Sequence, residues 1–251
     1  MNVTDAVQSR SSIRSFLDNP VSDEILKVLL EKSSRAASGG NLQPWKIFVL
    51  NNSSMKEFLE FQERWTEPEE PAYEIYPPKL KEPYRTSRFE LGEQMYEILG
   101  IGREDKDARI AQVMKNFTFF GAPCAFFCFV DKQMGPPQWS DLGMFLQTFM
   151  LLAQEVGLDT CAQEAWSIKQ DSVSEFVQAE DDDLLFCGMS IGYRDNDAAI
   201  NSLKSRRRPV DTWTKFLLNK IKNIKNVNWI LKDHPSQPFY KSKLNFENEI
   251  K

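Results

Sequence analysis

Arg10-Ser11-Ser12-Ile13-Arg14 puts two guanidiniums and two hydroxyls within one short turn. Ionised donors make the strongest hydrogen bonds to phosphate oxygens, and a guanidinium offers them as a planar fork. Further on, Ala37-Ser38-Gly39-Gly40-Asn41-Leu42-Gln43-Pro44-Trp45 is a loop of small residues with side-chain amides. Such a loop lets the backbone approach a flat polar ring closely. A phosphate clamp next to a reader of ring edges suits a bound mononucleotide. On residues alone the plainer alternatives stay open: a solvated Arg/Ser turn, and an ordinary turn closing a helix.

Other chemistries find less support. The one histidine, His234, sits in a polar C-terminal stretch, so a Ser-His-Asp or Cys-His mechanism has little to work with. There is no Walker loop and no Gly-x-Gly-x-x-Gly after a strand. Cys124, Cys128, Cys161 and Cys187 lack zinc-site spacing, and no metal is expected. Cys124 and Cys128 fall in a strand-like apolar run and read as small buried thiols. Chemistry in this chain therefore points to a cofactor.

The 251 residues are 41% hydrophobic and 27% charged, enough for a sizeable core in one large domain or two small ones. A net charge of -5 disfavours nucleic acid as a partner. The basic stretch Lys215 to Lys225 reads as an arm on a partner subunit and not as a nucleic-acid module. No apolar run is long enough for a bilayer, and the N-terminus lacks a signal-peptide pattern. With thiols read as reduced, the expected compartment is the cytoplasm.

The elements that must hold the two clusters can be read from periodicity and caps. Thr4 is expected to cap a helix to about Ser9, leaving the clamp just past its end. Ser22 caps a second helix with Ile25, Leu26, Leu29 and Leu30 at helical spacing, stopped by Gly39-Gly40. Lys46 to Leu50 reads as a strand, and Ser54-Met55-Lys56-Glu57 as a capping box. Pro68 to Pro83 is an irregular, proline-rich excursion of the length that lids have. Arg85 to Leu99 and Asp105 to Phe120 read as helices, and Ala122 to Val130 as a strand buried on both faces. The run Asp141 to Val156 is apolar almost all round and is expected to be central, or at a subunit interface. Leu184 to Gly192 is the last strand. This order predicts an α+β fold, helices covering a mixed sheet.

At these residues the chain resembles the FMN-dependent nitroreductase family. Arg10 through Phe16 matches its opening basic-x-Ser-Ile/Val-Arg-x-Phe pattern, and Ser38 through Trp45 its Ser-Gly/Ser-x-Asn-x-Gln-Pro-Trp pattern. Gly157 through Trp166, Gly188 through Tyr193 and Lys204 through Asp211 agree as well. Pro83-Tyr84-Arg85, Leu91-Gly92-Glu93, Phe119 through Pro123 and Gln138 through Gly143 point to the nitrobenzoate-reductase-like branch. The likeness covers roughly residues 5 to 215. Two positions depart from it: Ala37 replaces a common proline, and Ser11 a common second basic residue.

The resemblance implies a mainly antiparallel mixed sheet flanked by helices, in a homodimer. It implies a domain over 1–215 with a lid insertion at about 65–103, and an arm over 216–251 packed on the partner. Arg10, Ser11, Ser12, Arg14 and Arg207, with Lys204, would hold the FMN phosphate and ribityl chain. Ser38, Gly39, Gly40, Asn41 and Gln43 would border the isoalloxazine, a loop that the family often draws from the partner subunit. Glu164 and Ala165 would present backbone groups to the flavin N5 edge. Tyr84, Arg85 and Arg88 would line the lid, where an arginine attracts a carboxylate on an aromatic substrate.

No catalytic side chain is implied, since the flavin carries the chemistry. The expected activity is ping-pong hydride transfer from NADH or NADPH to nitroaromatics or quinones, small aromatic acceptors. Reductive dehalogenation, an oxidase reaction on the same fold and a non-catalytic flavin-binding protein remain alternatives at this point.

Overall fold

The computed structural model describes residues 1–217. Met1–Ser205 is one compact unit, and the described residues 206–217 belong to another. In the larger unit seven α-helices surround a five-stranded sheet.

The sheet forms around the most apolar stretch. Strand β3 (Cys124–Asp131) lies between β2 (Lys46–Asn51) and β5 (Asp183–Arg194), antiparallel to both. The far side of β5 is shared by β1 (Phe16–Leu17) and β4 (Asp159–Gln163), again antiparallel. The parallel component is an isolated bridge between Ser12 and Thr160.

Residues alternate across a strand, so β3 serves two cores at once. Cys124, Phe126 and Cys128 face one cluster with Leu142, Phe145 and Phe149. Ala125, Phe127 and Phe129 face another with Phe58, Phe119 and Trp166. This is why the run is unbroken and not alternating. Helix α2 (Asp23–Ser33) and helix α6 (Pro136–Glu155) cover the first face. Helix α3 (Ser53–Arg64) and helix α7 (Gln170–Val177) cover the second.

Several boundaries differ from the sequence reading, each for a local reason. Helix α1 (Val3–Ser9) is capped by Asn2 and not Thr4, because Asn2 Oδ1 accepts from Asp5 N–H at 2.9 Å. Ser22 does cap α2, its Oγ accepting from Ile25 N–H at 3.3 Å. The capping box at Ser54 does not form: the Ser54 hydroxyl turns back to the Asn51 N–H and carbonyl, both at 2.9 Å. Helix α4 spans Tyr84–Ile98. Helix α5 (Lys106–Met114) ends early and a 3₁₀ stretch, Lys115–Gly121, takes over. There Phe119 and Phe120 adopt positive φ of 49° and 55° while both stay buried. Burial of two aromatic rings offsets a backbone cost that helix propensity could not foresee.

Strand β4 and helix α7 have no counterpart in the sequence reading. Asp159-Thr160-Cys161-Ala162-Gln163 lacks apolar alternation, yet it is mostly buried because β5 pairs with it throughout. Helix α6 is not apolar to the core on every side. Its buried set is Asp141, Leu142, Phe145, Leu146, Phe149, Ala153 and Gln154, while Met144 stays exposed. The lysine-rich piece expected beyond Trp213 lies, after residue 217, outside the described residues.

Candidate cofactor site

The clamp begins where α1 ends. The Arg10 N–H closes the helix on the Ala6 carbonyl at 3.1 Å, and the chain then runs beside β4. Ile13 N–H donates to the Thr160 carbonyl at 3.1 Å, and the Ile13 side chain is fully buried. One buried anchor in an extended segment turns its neighbours outward. Arg10, Ser11, Ser12 and Arg14 are accordingly half-buried. Arg14 Nη1 donates to the Ser12 carbonyl at 3.2 Å, which holds the guanidinium over its own turn.

The clamp and the end of β4 share one neighbourhood, and Cys161 records it. Burial pushes its thiol up to about 11, the Arg14 and Arg10 guanidiniums oppose that rise, and the Glu164 carboxylate adds to it. Two cations from the N-terminus and the residue that follows β4 therefore act on the same thiol. Glu164 opens a 3₁₀ turn, Glu164–Lys169. The first N–H groups of such a turn have no acceptor within it. Glu164 is exposed and Ala165 half-buried. Directly behind them Trp166 is fully buried among Phe58, Phe117, Phe119 and Phe127. Gln163 is fixed too, donating to the Asn116 carbonyl at 2.8 Å and accepting from the Ser190 hydroxyl at 2.6 Å.

The small-residue loop is built on a different support. Gly39–Asn41 forms one 3₁₀ turn in which Gly40 has φ of 58°, and Asn41 and Gln43 follow at 58° and 51°. Ser38 Oγ accepts from Gln43 N–H at 3.1 Å, and Gln43 Nε2 donates to the Asn41 carbonyl at 3.2 Å. The Gln43 amide thus closes its own loop. Gly39 N–H donates to Asp141 Oδ2 on α6 at 3.1 Å. The loop is tied to α6 and remains largely exposed.

The expected lid is strapped down before α4 starts. Glu69 Oε2 accepts from the Asp171 and Ser172 N–H groups at 3.1 and 3.2 Å, filling the open N-terminal donors of α7. Ala72 N–H donates to the Ser167 carbonyl at 2.8 Å. The Tyr73 hydroxyl donates to the Phe186 carbonyl, and its ring packs on Trp139 and Phe186. Burial holds that phenol well above the usual range, with Cys187 adding to it. Tyr84, Arg85 and Arg88 are exposed. Arg85 pairs with Glu82 at 2.6 Å, and Arg88 lies over the Tyr76 ring at 4.3 Å.

Lys204 follows the 3₁₀ turn Ala199–Ser202 and is exposed; its carbonyl accepts from Gln94 Nε2 of α4 at 3.4 Å. Arg207 belongs to the second unit, where Nη1 donates to the Arg206 carbonyl at 3.2 Å. Grooves of about 560, 380 and 940 Å³ open on the chain, and no clamp, loop or Glu164-Ala165 residue lines any of them. Among the described residues no helix is long and apolar enough to cross a membrane.

Three supporting residues escaped the sequence reading. Asp141 was legible in principle, as a carboxylate inside an apolar helix that is 4% exposed. Tyr73 was hidden in the proline-rich excursion, and Asn201 carries no sequence signal.

An antiparallel sheet clasped by helices carries a cluster of guanidiniums and hydroxyls, Arg10 through Arg14, a donor set suited to a phosphate-bearing organic cofactor. The nitroreductase family profile matches residues 7–193, and the chain belongs to that family. It is 32% identical to a 4-nitrobenzoate reductase of Pseudomonas putida over 214 residues, 84% of this chain and 93% of the relative. It is 32% identical to a nitrobenzene nitroreductase of Ectopseudomonas oleovorans over 219 residues, 86% and 96% of the two chains. Among solved structures it resembles the FMN and NADPH-dependent nitroreductase NfnB of sphigopyxis sp. strain HMH. There the TM-score is 0.82 and the identity 38%, covering 86% of this chain and 99% of that one.

Proposed function

We propose that this chain is an FMN-dependent NAD(P)H oxidoreductase that reduces nitroaromatic compounds. The observation that carries the reading is the seam between the Arg10–Arg14 segment and β4, made by the Ser12–Thr160 bridge and by Ile13 N–H to the Thr160 carbonyl at 3.1 Å, which lays the guanidiniums and hydroxyls beside the strand that leads into the Glu164-Ala165 turn. The donor set fits the cofactor: a dianion needs cations and hydroxyls, and Arg10, Ser11, Ser12, Arg14 and Lys204 supply both. FMN, when bound, would supply the redox chemistry that links NAD(P)H to the nitro group or a quinone.

The chain's own share is positioning and electrostatics. Backbone N–H groups at Glu164 and Ala165 face the ring edge, and the buried Trp166 keeps them there. Ser38, Gly39, Gly40, Asn41 and Gln43 border the ring. The Gly39–Asn41 loop is largely exposed and is held on α6 by Asp141, which suits a loop that reaches over a second copy's flavin. The enzyme is accordingly a homodimer in which one chain's loop covers its partner's flavin. On the lid, Tyr84, Arg85 and Arg88 meet the aromatic substrate. The four cysteines are free and buried, which suits a cytoplasmic enzyme.

Steady-state kinetics with varied NAD(P)H and 4-nitrobenzoate test the reading. Parallel double-reciprocal lines are expected, since both substrates use one ring face in turn. Intersecting lines, or no turnover by FMN-loaded protein, would refute it. Arg88→Ala should raise KM for nitrobenzoate more than for nitrobenzene; equal KM values for both would remove Arg88 from the substrate site.

A further inference from the structure

Asn201 occupies the 3₁₀ turn Ala199–Ser202 and is not itself among the residues assigned above to the cofactor. Its Oδ1 accepts from the Arg14 backbone N–H at 2.9 Å. Its Nδ2 donates to the Ser15 carbonyl at 2.8 Å and to the Asp195 carbonyl at 2.8 Å. A side-chain amide has one acceptor oxygen and two donor hydrogens, so all three functions are engaged on the main chain. The same seam is closed by Asp195 N–H to the Ser15 carbonyl at 3.1 Å and by the Phe16–Arg194 pairing of β1 with β5.

The position of this amide matters more than its hydrogen-bond count. It grips the backbone of Arg14, whose guanidinium belongs to the first half of the clamp. Three residues later the chain reaches Lys204, the cation of the other half. A single planar group therefore fixes the spacing between two cationic segments 187 residues apart from Asn201 to Arg14. A shorter side chain could not reach all three partners. A carboxylate of the same shape would keep the bond from Arg14 N–H but would oppose the Ser15 and Asp195 carbonyl oxygens.

We propose that Asn201 is a positioning residue that sets the register of the two halves of the phosphate clamp, and so gives the protein its preference for FMN over riboflavin. This rests on the FMN reading above. Riboflavin has the same ring and ribityl chain without the phosphate, so the ratio of the two affinities isolates the clamp. A residue that merely held the fold together would move both affinities alike.

The test is a fluorescence titration of flavin-free, full-length protein with FMN and with riboflavin, for wild type, Asn201→Ala and Asn201→Asp. Loss of a bond of ordinary strength on the clamp backbone should raise the FMN Kd about tenfold in Asn201→Ala, with riboflavin Kd held within about twofold. Asn201→Asp should lose FMN selectivity at least as much, because its carboxylate also repels the phosphate. The ³¹P resonance of bound FMN should shift toward its free position in both variants. If one variant does not fold, the other reads the same ratio. If neither folds, Asn201 is a structural tie and the inference is overturned. An unchanged FMN-to-riboflavin ratio in variants of a wild type that prefers FMN overturns this inference alone. A wild type that binds neither flavin overturns the cofactor reading first and this inference with it.

Discussion

Asp141 and Gly39 are 102 residues apart in sequence, and the buried carboxylate of one accepts the backbone N–H of the other at 3.1 Å. This contact fastens an exposed loop of small residues to helix α6. A hydrogen bond to an ionised acceptor contributes about 1.5–3 kcal/mol. Asp141→Ala should therefore weaken FMN binding about tenfold or more while the sheet stays intact. Asp141→Asn keeps an acceptor and should lose less. Parallel fluorescence titrations check the order; equal affinity in all three proteins would detach the loop from the cofactor.

Gly188 and Trp166 make a second such relationship, this time steric. A Cβ on Gly188 would stand 2.4 Å from Trp166 Cδ1 and 3.0 Å from Nε1. Trp166 is enclosed by aromatic rings and cannot step aside. Gly188→Ala should destabilise the protein by about 1–3 kcal/mol and lower Tm by several degrees. Because Trp166 backs the Glu164-Ala165 turn, flavin affinity should fall as well. Calorimetry and titration on the same sample read both effects.

The buried thiols predict a fall in stability on the alkaline side. The Cys161 thiol is raised from 9.0 to about 11 and the Cys124 thiol to about 12, each chiefly by burial. A raised folded-state value means that the unfolded chain gives up its proton first. Their contribution is complete below pH 9 and is lost progressively as pH climbs through about 11 to 12. Urea unfolding between pH 8 and 11 should show this slope, and Cys161→Ala should lessen it. A slope that is the same in both proteins would assign the loss to other groups.

Strapping of the proline-rich segment predicts a local effect. The Tyr73 hydroxyl bonds the Phe186 carbonyl, and Glu69 fills the end of α7. Removing either grip should free the segment before α4 more than it affects the global fold. Tyr73→Phe and Glu69→Gln should be cut faster by trypsin within residues 65–83, with Tm changed by only a few degrees. Unchanged cleavage rates would show that the strap is held elsewhere.

How far these features could be read in advance follows from their range in sequence. Helix α2 and strand β3 were legible because each is set by local pattern, a Ser22 cap in one and an unbroken apolar run in the other. The Arg10–Arg14 donor cluster stood out because its members are adjacent along the chain, and its role belongs to the proposal. Strand β4 was not, since Asp159 through Gln163 owes its burial to β5 and not to its own composition. The positive φ values of Phe119 and Phe120 were hidden for the same reason. The partners of Asp141 and Asn201 lay beyond reach because Gly39 and Arg14 come from distant parts of the chain.

In the proposed site, cations at Arg10 and Arg14 grip a flavin phosphate while the turn after β4 faces the ring. The most direct measurement is a visible-absorption titration of full-length protein with FMN, followed by anaerobic NAD(P)H, for wild type and Arg14→Glu. Wild type should saturate at one FMN per chain, turn yellow and bleach on adding NAD(P)H, while Arg14→Glu should bind FMN about a hundredfold more weakly. A wild type that stays colourless, or an Arg14→Glu protein that binds FMN as tightly as wild type, would contradict it.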